Sequence, residues 1–420
     1  MKMKKVMAVA LSMACAATML SATAVTASAA DKKEVVIWDY FETDAQKEMI
    51  QSLMDGFNAS QDEYEATHVY VPFSDYEKQL TLGIASGELP DLVILDGCSM
   101  ASFIQLGLFG DISDADINWD EYIEGPLEST MMDGKHYGIP FATNCTALYY
   151  NKDMFDAAGI DYPDGSWTWD EFYDIAEKLT KEDGSQYGFA ANPSNEQDTW
   201  MNIVYSMGGT ILTDDNKSGF DDPNTIKAME FVDKCVKNVM PPASTMSETG
   251  TDVLFGSGKV AMISQGSWMV SAFKDNDYIK EHCDVARLPK DAETGESVSL
   301  YNGLGWAASA NTDMPDEAFQ LIEWFGTKDM QQKQADLGVT MAAYEGMSDG
   351  WVNSVDCFNL QPYMDAMDNI VFRPHTNATL AWWNPMCEEL KKPWNDEESM
   401  DDACKNIVTI MNDAIAEESY

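Results

Sequence analysis

The chain has 420 residues, 45% of them hydrophobic, and carries 26 Lys and Arg against 71 Asp and Glu, a formal net charge of −45. This length exceeds that of one typical domain, so we expect two domains. The charge excludes nucleic acid and anionic membrane surfaces as partners, because both repel a strongly negative protein. The acidic residues are spread along the chain, which is typical of a solvated surface on an extracellular protein.

The N-terminal segment has the pattern of an export signal. Three lysines within the first five residues precede an apolar stretch at 6–20, and Ala27-Ser28-Ala29 fits a signal-peptidase site. The apolar stretch is too short for a transmembrane helix. We therefore expect residues 1–29 to be a signal peptide and the mature protein to work outside the cytoplasm.

The cysteines leave two questions open. Cys15 is a possible lipid-anchor site, but this alternative is less favoured because Ser12 stands where a lipoprotein signal has a hydrophobic residue. The other seven cysteines are widely and irregularly spaced, with no CxxC, which favours neither a zinc site nor a disulfide scaffold. Cys387 and Cys404 could pair, although the sequence does not decide this.

The first part of the mature chain alternates strands and helices. Strands are predicted at 34–38, 64–72 and 91–95, separated by helices at 44–57 and 75–86. This order predicts a parallel sheet with helices on its faces. Ligands bind beyond the carboxyl ends of such strands, which points to the turns that carry Asp39, Tyr40 and Asp96.

The stretch Tyr137–Phe155, YGIPFATNCTALYYNKDMF, marks a passage between two α/β units. It contains a strand-like run from Cys145 to Tyr150 and then Asn151, a good helix N-cap. Elements of a second unit follow it. The predicted elements are a helix that starts at the capping box Thr168-x-x-Glu171, a strand at 187–190, helices at 200–207 and 226–239, and further elements at 253–262 and 285–288; after these come a strand at 298–308 and a helix at 315–325.

Several stretches together resemble the extracellular solute-binding proteins of carbohydrate ABC importers, the family that includes maltose-binding protein. These stretches, in family order, are Val35–Trp38, Ala85–Asp91, Tyr137–Phe155, Phe255–Met262 with Gly266 and Trp268, and Ala318–Lys328. The resemblance implies a two-lobed periplasmic-binding-protein-like α/β fold. Each lobe is then a mainly parallel sheet flanked by helices, and the ligand cleft lies between the lobes.

The resemblance also implies three chain crossings between the lobes, near Ala142, Pro289 and Lys328. The N-terminal lobe is then expected to comprise 30–142 plus 291–327. The C-terminal lobe is expected to comprise 143–290 plus 328–420.

A sugar site needs aromatic faces for C–H groups and polar side chains for hydroxyls. Trp268 matches a stacking position of the family, and the pair Trp382–Trp383 matches another, with Trp382 slightly preferred. Trp200 and Trp306 are further aromatic candidates, because indole is rarely fully buried. The alternative for each tryptophan is a place in the hydrophobic core.

Polar candidates come from the turns and from the resemblance. Asn144 stands where maltose-binding protein has an acid, which puts maltose itself in doubt but not sugar binding. Glu196 and Asp198 lie in a loop that reaches the cleft in the family, and Arg373 is a possible hydroxyl donor. Asp39, Tyr40 and Asp96 complete the set, and ordinary loop solvation is the alternative for all of them.

Other chemistries are less favoured. The run from Asp214 to Gly219 resembles the start of a calcium loop, but Thr225 replaces the required glutamate, so we expect no metal. We also expect no cofactor. A secreted glycoside hydrolase would need two opposed carboxylates, and the sequence contains no motif for hydrolysis.

The sequence therefore predicts a monomeric binding protein, not an enzyme. It would capture a mono- or oligosaccharide and deliver it to the membrane permease of an ABC importer. The high negative charge keeps open a cationic solute such as a polyamine, and the hydrolase is the alternative from another class.

Overall fold

The computed structural model describes residues 32–191 and 197–417. The predicted signal peptide and Cys15 lie outside these residues. Within them no helix is long and apolar enough to cross a membrane. The seven cysteines after Cys15 all lie in the described part of the chain, and Cys404 is a free thiol there, so the possible Cys387–Cys404 pair is not formed.

The described residues form twelve strands, eighteen α-helices and two 3₁₀ helices. The strands are β1 (Lys33–Asp39), β2 (Tyr64–Tyr70), β3 (Leu92–Asp96), β4 (Met131–Met132), β5 (Lys135–His136), β6 (Ile139–Asn144), β7 (Thr146–Asn151), β8 (Met262–Gly266), β9 (Cys283–Ala286), β10 (Ser299–Ala308), β11 (Met341–Ala342) and β12 (Ile370–Phe372). The α-helices are α1 (Asp44–Ser60), α2 (Phe73–Ser86), α3 (Gly97–Gln105), α4 (Glu124–Ser129), α5 (Lys152–Ala158), α6 (Trp169–Leu179), α7 (Met201–Ser206), α8 (Pro223–Asn238), α9 (Ala243–Thr249), α10 (Thr251–Gly256), α11 (Val270–Phe273), α12 (Asp277–His282), α13 (Pro315–Phe325), α14 (Lys328–Leu337), α15 (Asp349–Val352), α16 (Gln361–Ala366), α17 (Thr379–Trp394) and α18 (Met400–Glu417). The 3₁₀ helices cover Trp119–Glu121 and Ser267–Met269.

The first lobe is built on a mixed sheet with the strand order β11-β6-β10-β3-β1-β2, and β12 pairs with β10. β1 is parallel to both β2 and β3, as the alternation of strands and helices predicts. β10 is antiparallel to its neighbours β3 and β6. A strand from late in the chain therefore lies inside the sheet that the first residues begin.

The second lobe contains a smaller sheet of order β8-β7-β9, in which β7 is antiparallel to both neighbours. The predicted strand at 187–190 forms only isolated parallel bridges, from Tyr187 to Val260 and from Ala190 to Ile263. The predicted two-lobed α/β fold is confirmed, but the three strands of this lobe's sheet are antiparallel rather than mainly parallel.

Helix starts follow the local sequence. The Thr168 hydroxyl accepts from the Glu171 amide while the Glu171 side chain accepts from the Thr168 amide, the reciprocal pair of a capping box. The Asn151 side chain accepts from the amide of Met154 at the start of α5. Asp222 caps α8, where Pro223 takes the first helical position. These caps fix where the connections out of the sheets turn into helices.

Two hydrophobic cores divide the molecule. The first takes its buried residues from 35–142 and 306–347, and the second takes them from 145–301 and 351–411, with Met341 in addition. Each core lies between a sheet and the helices that cover it. We propose on this basis that the chain crosses between lobes at Cys145, within β10, and shortly after the last residue of the first core.

The cores differ from the predicted boundaries at two places. Tyr301 lies in the second core, although 291–327 was predicted for the first lobe. Met330 lies in the first core, although 328–420 was predicted for the second lobe. The reasons are that β10 runs on from the second lobe into the first, and that Gln334 of α14 donates to a backbone carbonyl of β6 at 2.6 Å.

Candidate functional site

A cleft of about 670 Å³ lies between the two lobes. This volume is within the range of small-ligand sites, about 300–1,000 Å³. The turns after β1 and β3 and the start of α2 form its first-lobe wall, and the turn after β8 and the start of α17 form its second-lobe wall. Its principal lining side chains are Tyr40, Phe41, Thr43, Glu77, Asp96, Ser99, Asn144, Gln197, Trp268, Met269, Asn302, Arg373, Trp383 and Asn384.

The first-lobe wall presents two carboxylates, Asp96 at the carboxyl end of β3 and Glu77 on α2. The Tyr40 hydroxyl donates to Asp96 Oδ1 at 2.9 Å, and the Ser99 hydroxyl donates to Glu77. Burial raises the pKa of Asp96, and the nearby Arg373 cation opposes this rise. Burial also raises the pKa of Glu77, whereas the hydrogen bond from Ser99 lowers it. The wall therefore offers hydrogen-bond acceptors in a partly desolvated setting.

Trp268 forms the aromatic part of the second-lobe wall. It lies in the 3₁₀ turn directly after β8 and is half-buried. A Cβ on Gly266 would lie 1.9 Å from Cζ3 of this indole, so the ring occupies space that only glycine leaves open. Gly266 itself is extended, with φ −79° and ψ 158°. The glycine is therefore required for the close approach of the ring rather than for its backbone conformation.

Trp383 and Arg373 form a second aromatic element on the same wall. The Arg373 guanidinium carbon lies 4.2 Å from the centroid of a Trp383 ring, which is cation–π geometry. Arg373 Nη1 also lies 3.4 Å from Asp96 Oδ2 and 3.0 Å from Cys98 Sγ. Arg373 follows β12, whose Ile370 packs against the second core, whereas Asp96 ends β3 in the first lobe, so this ion pair bridges the lobes.

Amide side chains line the base of the cleft, where the chain passes between lobes. Gln197 Nε2 donates to Asn144 Oδ1 at 2.6 Å, and both residues are buried. Asn302 on β10 faces Asn144 on β6 in the sheet register. Amides both donate and accept hydrogen bonds, so this part of the site suits hydroxyl groups of a ligand.

Three of the predicted tryptophans do not line the cleft. Trp306 is fully buried and stacks on Phe325 with ring centroids 4.9 Å apart. Trp200 is buried against Phe220, at 5.9 Å between centroids. Trp382 is fully buried, and its indole nitrogen donates to a threonine hydroxyl at 3.0 Å. Trp200, Trp306 and Trp382 are therefore core residues and not the ligand-binding residues that the sequence predicted.

Trp306 and Trp382 are buried for different physical reasons. Trp306 pairs with Ile94 and Ile139, so it lies within the sheet rather than at its edge. Trp382 and Trp383 are consecutive on α17, and consecutive helical residues point about 100° apart. One of them therefore faces the second core while the other faces the cleft, and the preference for Trp382 was wrong.

Two of the predicted acidic residues, Asp39 and Asp198, do not line the main cleft. Asp39 is 1% exposed and does not line the cleft. Its carboxylate accepts from the Phe41 amide at 3.0 Å and contacts His68 Nδ1 at 2.7 Å, so it holds the turn that presents Tyr40. Asp198 lies in an adjoining pocket. Glu196 lies outside the described residues.

Sequence reasoning missed several lining residues. Glu77 is the clearest, since it lies on a helix that was correctly predicted but without any motif to mark it. The helical spacing of buried Tyr76 and Leu80 would have put Glu77 near the buried side. Thr43 caps α1 through Gln46, and this capping box was a usable signal. Gln197 adjoins the predicted loop residues.

The described residues contain no cluster of three or more His, Cys, Asp or Glu that could hold a metal ion. The run from Asp214 to Gly219 forms a tight turn, in which Asn216 adopts φ 54° and Lys217 pairs with Asp215.

Comparison with known proteins identifies the class. Residues 52–350 match the family described as bacterial extracellular solute-binding protein. The chain belongs to this family, which confirms the resemblance found in the sequence.

Among relatives, a putative binding protein of Brucella abortus (strain 2308) is 29% identical over 297 residues, covering 68% of this chain and 71% of that protein. The galactooligosaccharide-binding protein of Bacillus subtilis (strain 168) is 28% identical over 290 residues, covering 66% of this chain and 64% of that protein. The maltodextrin-binding protein of the same organism is 24% identical over 409 residues, covering 92% and 90%.

Solved structures share the fold. An ABC substrate-binding protein of Listeria monocytogenes in complex with cycloalternan superposes with a TM-score of 0.83 at 21% identity, covering 92% of this chain and all of that chain. Maltose-bound MalE3 of T. maritima gives a TM-score of 0.79 at 19% identity, covering 90% of this chain and 99% of that one. At these identities the likeness establishes the two-lobed architecture.

Proposed function

We propose that this protein captures a carbohydrate in the cleft between its lobes and delivers it to the permease of an ABC importer. The observation that carries the proposal is the composition of the cleft. The indoles of Trp268 and Trp383 lie on one wall, and the carboxylates of Asp96 and Glu77 lie on the other. A sugar needs this combination, because its ring has apolar C–H faces and a polar edge of hydroxyls.

The names of relatives support the same ligand class. The matched proteins include binders of galactooligosaccharide and maltodextrin, and the superposed structures include complexes with cycloalternan and maltose. We infer that the protein works as a monomer outside the cytoplasm and performs no chemistry on the sugar. We also infer cleavage after Ala29 rather than lipid attachment at Cys15.

The test is a thermal-shift screen of the purified mature protein against mono- and oligosaccharides, followed by calorimetric titration of each hit. A ligand that binds only the folded state raises the melting temperature. Polyamines form a second arm, since the carboxylates of the cleft would also accept ammonium groups. Stabilisation by sugars and not by polyamines is the expected result, whereas the reverse would replace the sugar with a cationic solute.

Recovery of the sugar distinguishes binding from hydrolysis. Each oligosaccharide that binds is incubated with the protein and then analysed by chromatography. We expect it to return unchanged. Shorter products, abolished by Glu77→Gln or Asp96→Asn, would show a glycoside hydrolase instead.

A further inference from the structure

A second pocket, of about 420 Å³, adjoins the main cleft, and we call it the side pocket. Four residues line both spaces: Glu42, Thr43, Trp268 and Met269. The remaining residues of the side pocket are Asp198, Thr251, Asp252, Gln265 and Ala272. The two spaces are therefore neighbours, and Trp268 stands where they meet.

The partition between the two spaces is formed by residues of both lobes. The indole of Trp268 packs on the backbone of Gly266 at a distance that no other residue permits. On the opposite lobe, the Thr43 hydroxyl lies 3.4 Å from the hydroxyl of Ser271 on α11. Because Thr43 belongs to the first lobe, and Ser271 and Trp268 belong to the second, the width of the passage past Trp268 is set by the relative position of the lobes.

The side pocket has the chemistry of the main cleft. It combines part of the Trp268 indole with the Thr251 hydroxyl, the Gln265 amide and the carboxylates of Asp198 and Asp252. Carboxylates accept hydrogen bonds from sugar hydroxyls and repel anionic groups. None of the nine residues that line the side pocket is Lys, Arg or His. The lining is therefore suited to a neutral sugar unit rather than an acidic one.

We propose that the side pocket is a further subsite for the same ligand, so that the ligand is a neutral oligosaccharide with units on both sides of Trp268. This inference rests on the proposed function and narrows it, because a monosaccharide would occupy one space only. Trp268 then contacts the ligand at the point where it passes from the main cleft into the side pocket.

The test compares two variants by calorimetric titration. Ala272→Trp fills the side pocket from α11, at a residue that does not line the main cleft. Ala157→Trp on α5 is the matched control, because Ala157 is exposed and lines neither space. The probes are linear malto- and galacto-oligosaccharides of one to five units, together with one oligosaccharide that ends in a uronic acid.

For the wild type and the control we expect the affinity to rise with chain length until the side pocket is filled. For Ala272→Trp we expect the same affinity for the short sugars and at least a tenfold weaker affinity for the long ones. The uronic acid should remove the gain from the terminal unit in the wild type. Asp252→Phe, which narrows the same pocket from α10, should repeat the pattern if Ala272→Trp proves unstable.

Other outcomes overturn the inference in distinguishable ways. Equal affinity for long sugars in the wild type and both side-pocket variants would mean that the side pocket holds no part of the ligand. A wild type that prefers monosaccharides would also exclude a subsite in the side pocket, while leaving carbohydrate binding intact. A protein that binds none of the probes, and no other sugar of the screen, would overturn the proposed function itself.

Discussion

Trp268 and Trp382 have the same side chain and are placed in different surroundings. Trp268 is half-buried against Gly266 at the cleft, whereas Trp382 is fully buried with its indole nitrogen hydrogen-bonded to Thr376. The first has a face available for a ligand and the second has none. Substitution of each should therefore affect a different measurable quantity.

We expect Trp268→Ala to weaken sugar binding with little loss of stability. Loss of one large apolar contact is worth about 1–3 kcal/mol, which raises the dissociation constant by a factor of about 5 to about 150. We expect Trp382→Ala to lower the free energy of unfolding by about 3–5 kcal/mol, the usual cost of a large cavity. Calorimetric titration and urea denaturation of both variants measure the two effects, and each variant is the control for the other. A large stability loss in Trp268→Ala with unchanged affinity would contradict this assignment.

For individual residues, the sequence predicted which residue types line the cleft better than it predicted the direction in which each side chain points. Tyr40 and Asp96 were predicted from the ends of parallel strands, and both line the cleft. Trp382 and Trp383 could not be separated, because their helix was not predicted and the rotation that distinguishes neighbouring residues was unknown. Glu77 was missed because nothing in its local sequence distinguishes it from the many exposed acids.

The helices and strands were the most predictable level of the structure. The helix 315–325 was predicted with the observed bounds, since a proline begins it and an apolar face runs through it. The capping residues Asn151 and Thr168 were also identified. The strand predicted at 187–190 is only partly formed, because its apolar residues suit a strand but its pairing is limited to isolated bridges. Tertiary contacts decide its form.

Gly188 shows how this segment is held against α6. A Cβ at this position would lie 1.8 Å from the carbonyl oxygen of Ala176, and the Gly188 amide donates to Thr180 Oγ1 at 2.9 Å. Gly188→Ala must push the segment off the helix, so we expect a loss of about 1–3 kcal/mol in the free energy of unfolding. Gly110→Ala is the matched control, because a Cβ there meets no atom within 4 Å. Urea denaturation measures both, and equal midpoints would contradict the predicted packing.

At the scale of the whole molecule, the two lobes contact each other across the cleft. Thr43 and Ser271 lie 3.4 Å apart, Asp96 pairs with Arg373, and the Ser102 hydroxyl donates to the Asn377 carbonyl at 2.7 Å. A ligand that is enclosed between the lobes needs these contacts to open before it enters. We infer that the protein moves between an open form and the closed form that these contacts define.

We therefore expect a bound sugar to reduce the radius of gyration in solution. Small-angle scattering of the mature protein, with and without a saturating oligosaccharide, measures this change. A sugar that gives no thermal shift, added at the same concentration, is the control. An unchanged radius of gyration at proven saturation would indicate a rigid pocket.

The position of β10 also has a consequence for how the protein is made. The strand pairs Leu304 with Asp96 and Gly303 with Thr143, so it enters a sheet whose strands β1, β2, β3 and β6 were synthesised long before. Until the ribosome has passed residue 308, β3 and β6 lack the partner that lies between them. Contacts so distant along the chain form slowly. The nascent first lobe should therefore stay unfolded through most of translation, the state in which a chain with an N-terminal export signal remains able to thread through a membrane pore.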